Sequence, residues 1–100
     1  MRERRTTSRL RAAVLGLGAM GRRHLRVLAA LGSRFEVVGG YDPRRDLPPI
    51  PGIDRLRSEA EAIENADVIV IATPNEAHGE GVARALAAGR HVLVEKPVCA

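Results

Sequence analysis

Residues 12–21 read AAVLGLGAMG, and this stretch decides the fold. A short apolar run over residues 12–15 ends abruptly at glycines spaced as G-x-G-x-x-G, and a segment with helical periodicity follows at once. The order strand, tight turn, helix is the context in which this glycine pattern binds the phosphates of a dinucleotide. Closely spaced glycines also occur in ordinary turns, but the flanking strand and helix favour the phosphate-binding interpretation.

The six residues of this glycine turn (residues 16–21) are the first candidate contacts of a dinucleotide: Gly16, Leu17, Gly18, Ala19, Met20 and Gly21. In this pattern the first glycine permits a sharp turn, the second lets the backbone approach a pyrophosphate, and the third lets the helix pack closely on its strand. The N–H groups at the start of the helix would face the phosphates, so no basic side chain is needed.

Composition limits the other possibilities. A chain of 100 residues with 45% apolar residues can form one modest domain or part of a larger protein. The net charge of +4 arises in residues 1–11, because residues 12–100 carry 11 positive and 11 negative side chains. Only one Phe and one Tyr are present, too few to stack the bases of a single strand. We therefore expect residues 1–10 to be a disordered basic tail, residues 11–100 to form a dinucleotide-binding domain, and nucleic acid not to be a partner.

The start of the chain has no apolar segment typical of a signal peptide, and no apolar run reaches the roughly 18 residues of a membrane span. These features predict a cytoplasmic protein without a membrane partner, although an Arg- and Ser/Thr-containing start also resembles an organelle transit peptide. Cys99 is the single cysteine, so we expect neither a disulfide within the chain nor a cysteine metal site.

The segments after the glycine turn alternate between helical and strand patterns. Apolar residues at helical spacing predict a first helix over residues 19–31, with Gly32 as its stop. Residues 35–42, FEVVGGYD, are apolar almost throughout and predict a parallel strand that is covered on both faces. The adjacent Gly39 and Gly40 are unusual, because glycine weakens a strand interior unless another group approaches closely there.

Asp42 ends this predicted strand, 21 residues after Gly21. An acidic residue at about this distance accepts hydrogen bonds from the hydroxyls of the adenosine ribose. The alternative is that Asp42 and Pro43 only begin a turn. The ribose interpretation predicts NAD in preference to NADP, because the carboxylate would repel a 2′-phosphate, whereas Arg44 and Arg45 could reverse that preference.

Residues 43–52, PRRDLPPIPG, contain four prolines and predict a loop. A parallel crossover normally needs a dozen or more residues and a helix, so we expect the next strand, around residues 53–57, to be brief and at the sheet edge. Ser58 and Glu61 have the spacing of a capping box, which predicts a short helix that ends near Asn65.

Residues 67–72, DVIVIA, are the most hydrophobic β-branched run and predict a central buried strand. Asn75 can cap a helix that begins near Glu76 and stops at Gly89. The last predicted strand covers residues 91–95.

This alternation predicts an α/β fold with a doubly wound parallel sheet of Rossmann type, in the strand order 3-2-1-4-5. Ligands of such sheets bind beyond the carboxyl ends of the strands. The glycine turn, Asp42, residues 73–75 and residues 95–97 all follow predicted strands at that edge.

Three motifs in order resemble the amino-terminal domain of the Gfo/Idh/MocA oxidoreductases, the glucose-fructose oxidoreductase and inositol dehydrogenase group. They are the glycine turn followed by His24, the segment ATPNEAH at residues 72–78, and AGRHVLVEKP at residues 88–97. The resemblance covers about residues 11–98. It implies a nicotinamide cofactor, NAD or NADP, and hydride exchange with a hydroxyl-bearing carbon of a sugar, cyclitol or similar small molecule. It also allows a homo-oligomer.

Residue by residue, the resemblance implies that Thr73, Pro74 and Asn75 lie beside the nicotinamide end of the cofactor. It implies that the carboxylate of Glu95 lies near the nicotinamide ribose and that the amine of Lys96 reaches the substrate hydroxyl. Lys96 is also the single lysine among 16 basic residues. A desolvated lysine can relay a proton whereas arginine cannot, although one lysine could also fall there by chance.

The chain departs from the family in two respects. The proline-rich segment replaces the helix that the family has between its second and third strands. Family members also continue beyond the E-K-P motif into a second α/β domain, which holds most of the substrate pocket and the usual catalytic His with its acidic partner. Three functions therefore stay open: the cofactor-binding part of an oxidoreductase, a stand-alone NAD(P)-binding or sensing module, and a truncated product without activity.

Overall fold

The computed structural model describes residues 9–73 and 75–94, and between residues 75 and 78 it describes the backbone alone. Residues 1–8 of the predicted tail lie outside this part of the chain. The elements are β1 (Leu10–Leu15), α1 (Ala19–Ala30), β2 (Phe35–Tyr41), α2 (Glu59–Asn65), β3 (Val68–Ile71), α3 (Asn75–Ala87) and β4 (His91–Val94). Within the described ranges no helix has the length and apolar character needed to cross a membrane.

The four strands form one parallel sheet in the order β2-β1-β3-β4. This arrangement confirms the predicted doubly wound α/β class. The brief edge strand expected at residues 53–57 lies beside β2, in agreement with the predicted order 3-2-1-4-5, but it is reduced to one isolated parallel bridge between Gly40 and Arg55 and is not a full strand. Gly40 donates to the carbonyl of Asp54 (3.0 Å) and accepts from the N–H of Leu56 (2.8 Å), and the chain then leaves the sheet edge to enter α2.

The central strands β1 and β3 are buried on both faces, as in parallel sheets with helical crossovers, whereas most of the edge strand β4 is exposed. Successive side chains of β1 point to opposite faces. Ala13 and Leu15 belong to a buried cluster with residues of α2, β3 and α3, whereas Ala12 and Val14 belong to a second cluster with α1. The strand β1 therefore forms the centre of a three-layer structure.

Helix α1 begins at Ala19 as predicted and ends at Ala30, with Leu31 as its C-cap. The N–H of Leu31 donates to the carbonyls of two residues in the last turn at 3.1 Å each, so Gly32 follows the cap as the predicted stop, and the predicted helix over residues 19–31 is one residue too long. Leu25 and Leu28 are buried against the sheet. Full burial of each such side chain stabilises the fold by about 1.5–3 kcal/mol.

The proline-rich segment contains no helix, as the sequence predicts, and it covers the α1 face of the sheet. Its apolar residues Leu47 and Ile50 pack, together with the adjoining Ile53, against the buried cluster beneath α1. The guanidinium of Arg22 on α1 donates to the carbonyl of Pro48. Packing and one charged hydrogen bond thus hold an irregular segment where the family resemblance predicts a helix.

The glycine pair in β2 permits two close approaches. The pairing of β1 with β2 shifts by one residue between Ala12 and Ala13, which leaves Val38 as a bulge. Gly39 has φ +152°, and a Cβ there would lie 2.5 Å from the carbonyl oxygen of Asp54. A Cβ on Gly40 would lie 2.6 Å from a methyl group of Leu17 in the glycine turn. The two glycines therefore admit the edge segment on one side and the glycine turn on the other.

Helix α2 begins with the predicted capping box. The hydroxyl of Ser58 accepts a hydrogen bond from the N–H of Glu61 at 3.0 Å. The carboxylate of Glu61 reaches back and accepts from the N–H of Arg57 at 2.7 Å, one residue before the position of the standard motif.

Gly39→Ala should lower the free energy of unfolding by about 1–3 kcal/mol, because the new Cβ would force an unfavourable φ and collide with the carbonyl of Asp54. Gly79→Ala is the matched control. Its Cβ meets no heavy atom within 4 Å, and alanine in a helix interior should raise the free energy of unfolding by about 0.5–1 kcal/mol. Urea unfolding measures both, and equal stability of the two variants would contradict this explanation of Gly39.

Candidate dinucleotide-binding site

Packing requires two of the three glycines in the glycine turn. Gly16 has φ +97°, and a Cβ there would lie 2.6 Å from the carbonyl oxygen of Ala72. A Cβ on Gly21 would lie only 1.7 Å from the carbonyl oxygen of Gly16. These contacts match the predicted sharp turn and the close packing of helix on strand.

Gly18 differs because nothing in its own backbone demands glycine. It is the N-cap of α1 with φ −74°, and the nearest heavy atom to a Cβ built there is a guanidinium nitrogen of Arg44 at 3.7 Å. Within the described part of the chain no side chain caps α1, and its first turn contains no acidic residue. The N–H groups at its positive end are therefore open to an anion such as a pyrophosphate.

The Asp42 carboxylate lies directly beside the glycine turn. Its Oδ2 accepts hydrogen bonds from the N–H of Leu17 at 2.8 Å and from Nη2 of Arg44 at 3.0 Å. Its Oδ1 accepts from the N–H and from Nε of Arg44 at 2.9 and 3.0 Å. Asp42 thus joins the end of β2, the glycine turn and the following loop through one buried carboxylate.

The electrostatics of this carboxylate favour its charged form. Burial by itself would raise the pKa of Asp42, but the hydrogen bonds from the Arg44 side chain and from the N–H groups of Leu17 and Arg44 outweigh burial. Together with the positive charge of Arg44 they lower the pKa of Asp42 from 3.8 to about 2. The hydrogen bond to Asp42 raises the pKa of Arg44 in turn. Asp42 is therefore ionised throughout the physiological pH range.

A cavity of about 970 Å³ extends from Asp42, at the carboxyl ends of the strands, along α2 and α3 as far as Glu64 and Ala88, and none of residues 16–21 lines it. Its size is that of a typical ligand pocket, and apolar side chains such as Leu15 and Ile63 line much of it. Thr73 also lines it, and the buried Oγ1 of Thr73 has no hydrogen-bond partner among the described residues. Buried hydroxyls are almost always hydrogen-bonded, so this atom fits a polar group of a bound ligand.

The structure brings the glycine turn, Asp42 and Thr73 to one edge of the sheet, as the sequence predicts. Asn75 begins α3, but its side chain lies outside the described part of the chain. Pro74, Glu95 and Lys96 also lie outside the described residues. The roles of all the candidate residues in binding and catalysis stay predictions.

Sequence reasoning missed two contacts around Asp42. It treated Arg44 as a nearby charge, whereas the structure shows its guanidinium paired with Asp42 through two hydrogen bonds. Arg55 donates to the carbonyl of Asp42 at 3.2 Å and also to the carbonyl of Arg44. The order Asp-Pro-Arg is a sequence signal for the pair between Arg44 and Asp42, because a turn at Pro43 brings the arginine side chain near the carboxylate two residues before it. No pattern in the sequence indicates the second.

A doubly wound parallel sheet with an uncapped helix behind a glycine turn, and a buried acidic residue at the end of the next strand, defines a dinucleotide-binding Rossmann domain. Residues 10–100 match the family described as "Oxidoreductase family, NAD-binding Rossmann fold". The chain belongs to this family, Gfo/Idh/MocA, and is an NAD-binding domain of it.

Individual relatives agree with this assignment. The chain is 39% identical over 99 residues to inositol 2-dehydrogenase 1 of Paenarthrobacter aurescens (strain TC1), covering 92% of this chain and 29% of that protein. It is 47% identical over 55 residues to galactose 1-dehydrogenase of Pseudomonas fluorescens, covering 52% of this chain and 18% of that protein. The crystal structure of GenD2 from gentamicin A biosynthesis in complex with NAD superposes with a TM-score of 0.79 and 35% identity, covering 97% of this chain and 29% of that one. The chain thus spans less than a third of the length of each.

Acid should destabilise the fold through Asp42. Its pKa is about 2 in the folded chain, against an ordinary value of 3.8 that applies to the unfolded chain. Its stabilising contribution is therefore complete above about pH 4 and is lost as the pH falls towards 2. This shift corresponds to at most about 2.4 kcal/mol, and water screens the exposed guanidinium, so we expect a loss of about 1–2 kcal/mol.

Urea unfolding between about pH 2 and pH 5 measures this loss. Asp42→Asn should lack the part of the acid-induced loss of stability that is due to Asp42. Asp54→Asn, which changes an exposed carboxylate, should retain that part. An acid sensitivity of Asp42→Asn equal to that of the unchanged chain would contradict the assignment.

Proposed function

We propose that this domain serves a dehydrogenase that transfers hydride between NAD and a hydroxyl-bearing carbon of a sugar, cyclitol or similar small molecule. The observation that supports this proposal most strongly is the buried Asp42 carboxylate. It accepts a hydrogen bond from the N–H of Leu17, next to Gly18, where no side chain covers the backbone. The names of the inositol and galactose dehydrogenases that the chain resembles support the substrate class.

The described residues fit a nicotinamide dinucleotide. The start of α1 offers N–H groups to the pyrophosphate, and Gly18 leaves the space that a Cβ would fill. Asp42 offers carboxylate oxygens to the hydroxyls of the adenosine ribose. Thr73 offers a buried hydroxyl that has no hydrogen-bond partner among the described residues, in the adjoining cavity. The bound nicotinamide supplies the hydride acceptor or donor.

The charge at Asp42 supports NAD as the preferred cofactor. Because the pKa of Asp42 is about 2, its carboxylate carries a full negative charge at neutral pH. A 2′-phosphate on the adenosine ribose would meet this charge, whereas the 2′-hydroxyl of NAD can donate to it.

Lys96 and Glu95 complete the proposed chemistry on the grounds of the family resemblance. The amine of Lys96 would hold the substrate hydroxyl and accept or relay its proton, and Glu95 would lie near the nicotinamide ribose. Arginine could replace the charge of Lys96 but could not release a proton. Most of the substrate pocket, with the usual catalytic His, would belong to the second domain that relatives carry.

Gly18→Val should abolish binding of NADH while leaving the chain folded, because a β-carbon at residue 18 fits the protein but occupies the space proposed for the pyrophosphate. Titration with NADH, followed by nicotinamide fluorescence, measures the affinity, and urea unfolding measures the fold. Gly32→Val is the control at the other end of α1, where a Cβ makes an ordinary contact of 3.4 Å. Unchanged NADH affinity in Gly18→Val would exclude the glycine turn as the phosphate site.

Lys96→Ala should lower kcat by about 10²–10⁴-fold in a polypeptide of the relatives' length that carries this domain, which is the usual contribution of general acid–base catalysis. The affinity for NADH should stay nearly unchanged. Lys96→Arg separates proton relay from positioning, because it keeps the charge but holds its proton. Near-normal turnover of Lys96→Arg with a polyol or sugar would show that Lys96 only positions the substrate.

The 100-residue chain by itself should show no measurable dehydrogenase activity with any polyol or sugar. Robust turnover by the purified chain would show that its own residues build a complete substrate pocket, contrary to the proposal.

A further inference from the structure

The carboxylate of Asp42 has no acceptor position left for a ribose. An ionised carboxylate offers about four lone-pair positions. Two of them accept the backbone N–H groups of Leu17 and Arg44, and two accept Nε and Nη2 of the Arg44 guanidinium. Ribose hydroxyls can therefore bind Asp42 only after one of these donors leaves.

The two backbone donors are held in place by the fold. The N–H of Leu17 belongs to the glycine turn between β1 and α1, and the N–H of Gly16 next to it donates to the carbonyl of Tyr41 at 2.7 Å. Arg55 donates to the carbonyls of Asp42 and Arg44, which ties the main chain that carries the second donor. Movement of either N–H would require local unfolding.

The guanidinium of Arg44 is the donor that can move. Its side chain is 57% exposed, whereas the side chain of Asp42 is 5% exposed. The guanidinium also lies 3.7 Å from the Cβ position of Gly18, in the space proposed for the cofactor. It thus competes with a dinucleotide for the same carboxylate oxygens and for the same volume.

We propose that Arg44 occupies the adenosine-ribose site of the free protein and determines how strongly the site distinguishes NAD from NADP. This inference rests on the proposed function. Binding of NAD breaks the pair between Arg44 and Asp42 and offers the guanidinium no phosphate at the ribose in exchange. Binding of NADP breaks the same pair, but the displaced guanidinium can hold the 2′-phosphate through a bidentate interaction. Arg44 therefore weakens NAD binding and supports NADP binding. It reduces the preference for NAD over NADP that Asp42 alone would produce.

Arg44→Ala should tighten NADH binding by about 3- to 10-fold, because an exposed ion pair no longer has to be broken. The same variant should weaken NADPH binding by about 10-fold, because the partner of the 2′-phosphate is lost. Arg44→Lys should also tighten NADH binding, since lysine lacks the fork that fills two lone pairs, but it should keep NADPH binding near that of the unchanged chain. Fluorescence titrations of the purified chain with NADH and NADPH measure the four changes.

Arg34→Ala is the matched control. It removes an exposed arginine at the amino end of β2, whereas Asp42 and Arg44 follow the carboxyl end of that strand. Neither affinity should change in this variant. Weaker NADH binding by both Arg44 variants would overturn the inference, because Arg44 would then be a direct contact of the bound cofactor. If the unchanged chain bound neither dinucleotide, the proposed function itself would fail. If the unchanged chain binds NADH but Arg44→Ala does not bind it more tightly, the proposed competition by Arg44 is refuted while the proposed function stands.

A second readout follows the Arg44 side chain directly. In the free chain the Nε–H proton of Arg44 donates to Asp42 at a donor–acceptor distance of 3.0 Å. Addition of ADP-ribose, which carries the ribose hydroxyls but no nicotinamide, should shift this proton's NMR resonance towards that of a solvated guanidinium. A resonance that stays unchanged at saturating ADP-ribose would show that Arg44 remains on Asp42, and would overturn the proposal.

Discussion

The contact between Gly21 of α1 and the carbonyl oxygen of Gly16 is the constraint on which the rest of the structure depends. A Cβ at residue 21 would lie 1.7 Å from that oxygen, so α1 can approach β1 this closely only because the residue is glycine. Leu25 and Leu28 then bury their side chains in one cluster with Val14, and this burial holds the helix on the sheet. The same approach places the uncapped start of α1 where β1 and β2 end, which is where anions bind in doubly wound sheets.

The buried charge of Asp42 connects the packed strand and helix, β1 and α1, to the proposed ligand site. Asp42 is buried, and a buried carboxylate is tolerated only when its oxygens are hydrogen-bonded. The N–H of Leu17 satisfies part of that requirement, and Arg44 satisfies the remainder. One side chain therefore meets a structural need and a functional need, because it ties the glycine turn to β2 and presents the oxygens that a ribose would use. In the free protein Arg44 stabilises the buried carboxylate, and its guanidinium lies beside Gly18 in the space proposed for the cofactor.

The proline-rich segment shows how irregular backbone can replace a crossover helix. Its apolar residues Leu47 and Ile50, with the adjoining Ile53, cover the face of the sheet beneath α1. Arginine side chains from elsewhere in the chain hold its carbonyl groups, Arg22 at Pro48 and Arg55 at Arg44. Because the glycine pair lets residues 54–56 lie against β2, the segment stays close to the sheet edge.

The sequence by itself determined the helices, the four strands of the sheet and the place of the glycine turn and Asp42, because periodicity, capping and turn chemistry act between residues a few positions apart. The brief edge strand predicted at residues 53–57 is reduced to one bridge, because a strand extends only as far as a partner pairs with it and tertiary structure decides that pairing. Tertiary structure alone decided that the Arg44 guanidinium lies beside Gly18 and that the Thr73 hydroxyl has no partner among the described residues. It also decided that Arg55 donates a hydrogen bond to the carbonyl of Asp42, 13 residues away in sequence. The partner of a charge and the empty volume beside a backbone depend on segments that meet only after folding, and no local pattern carries that information.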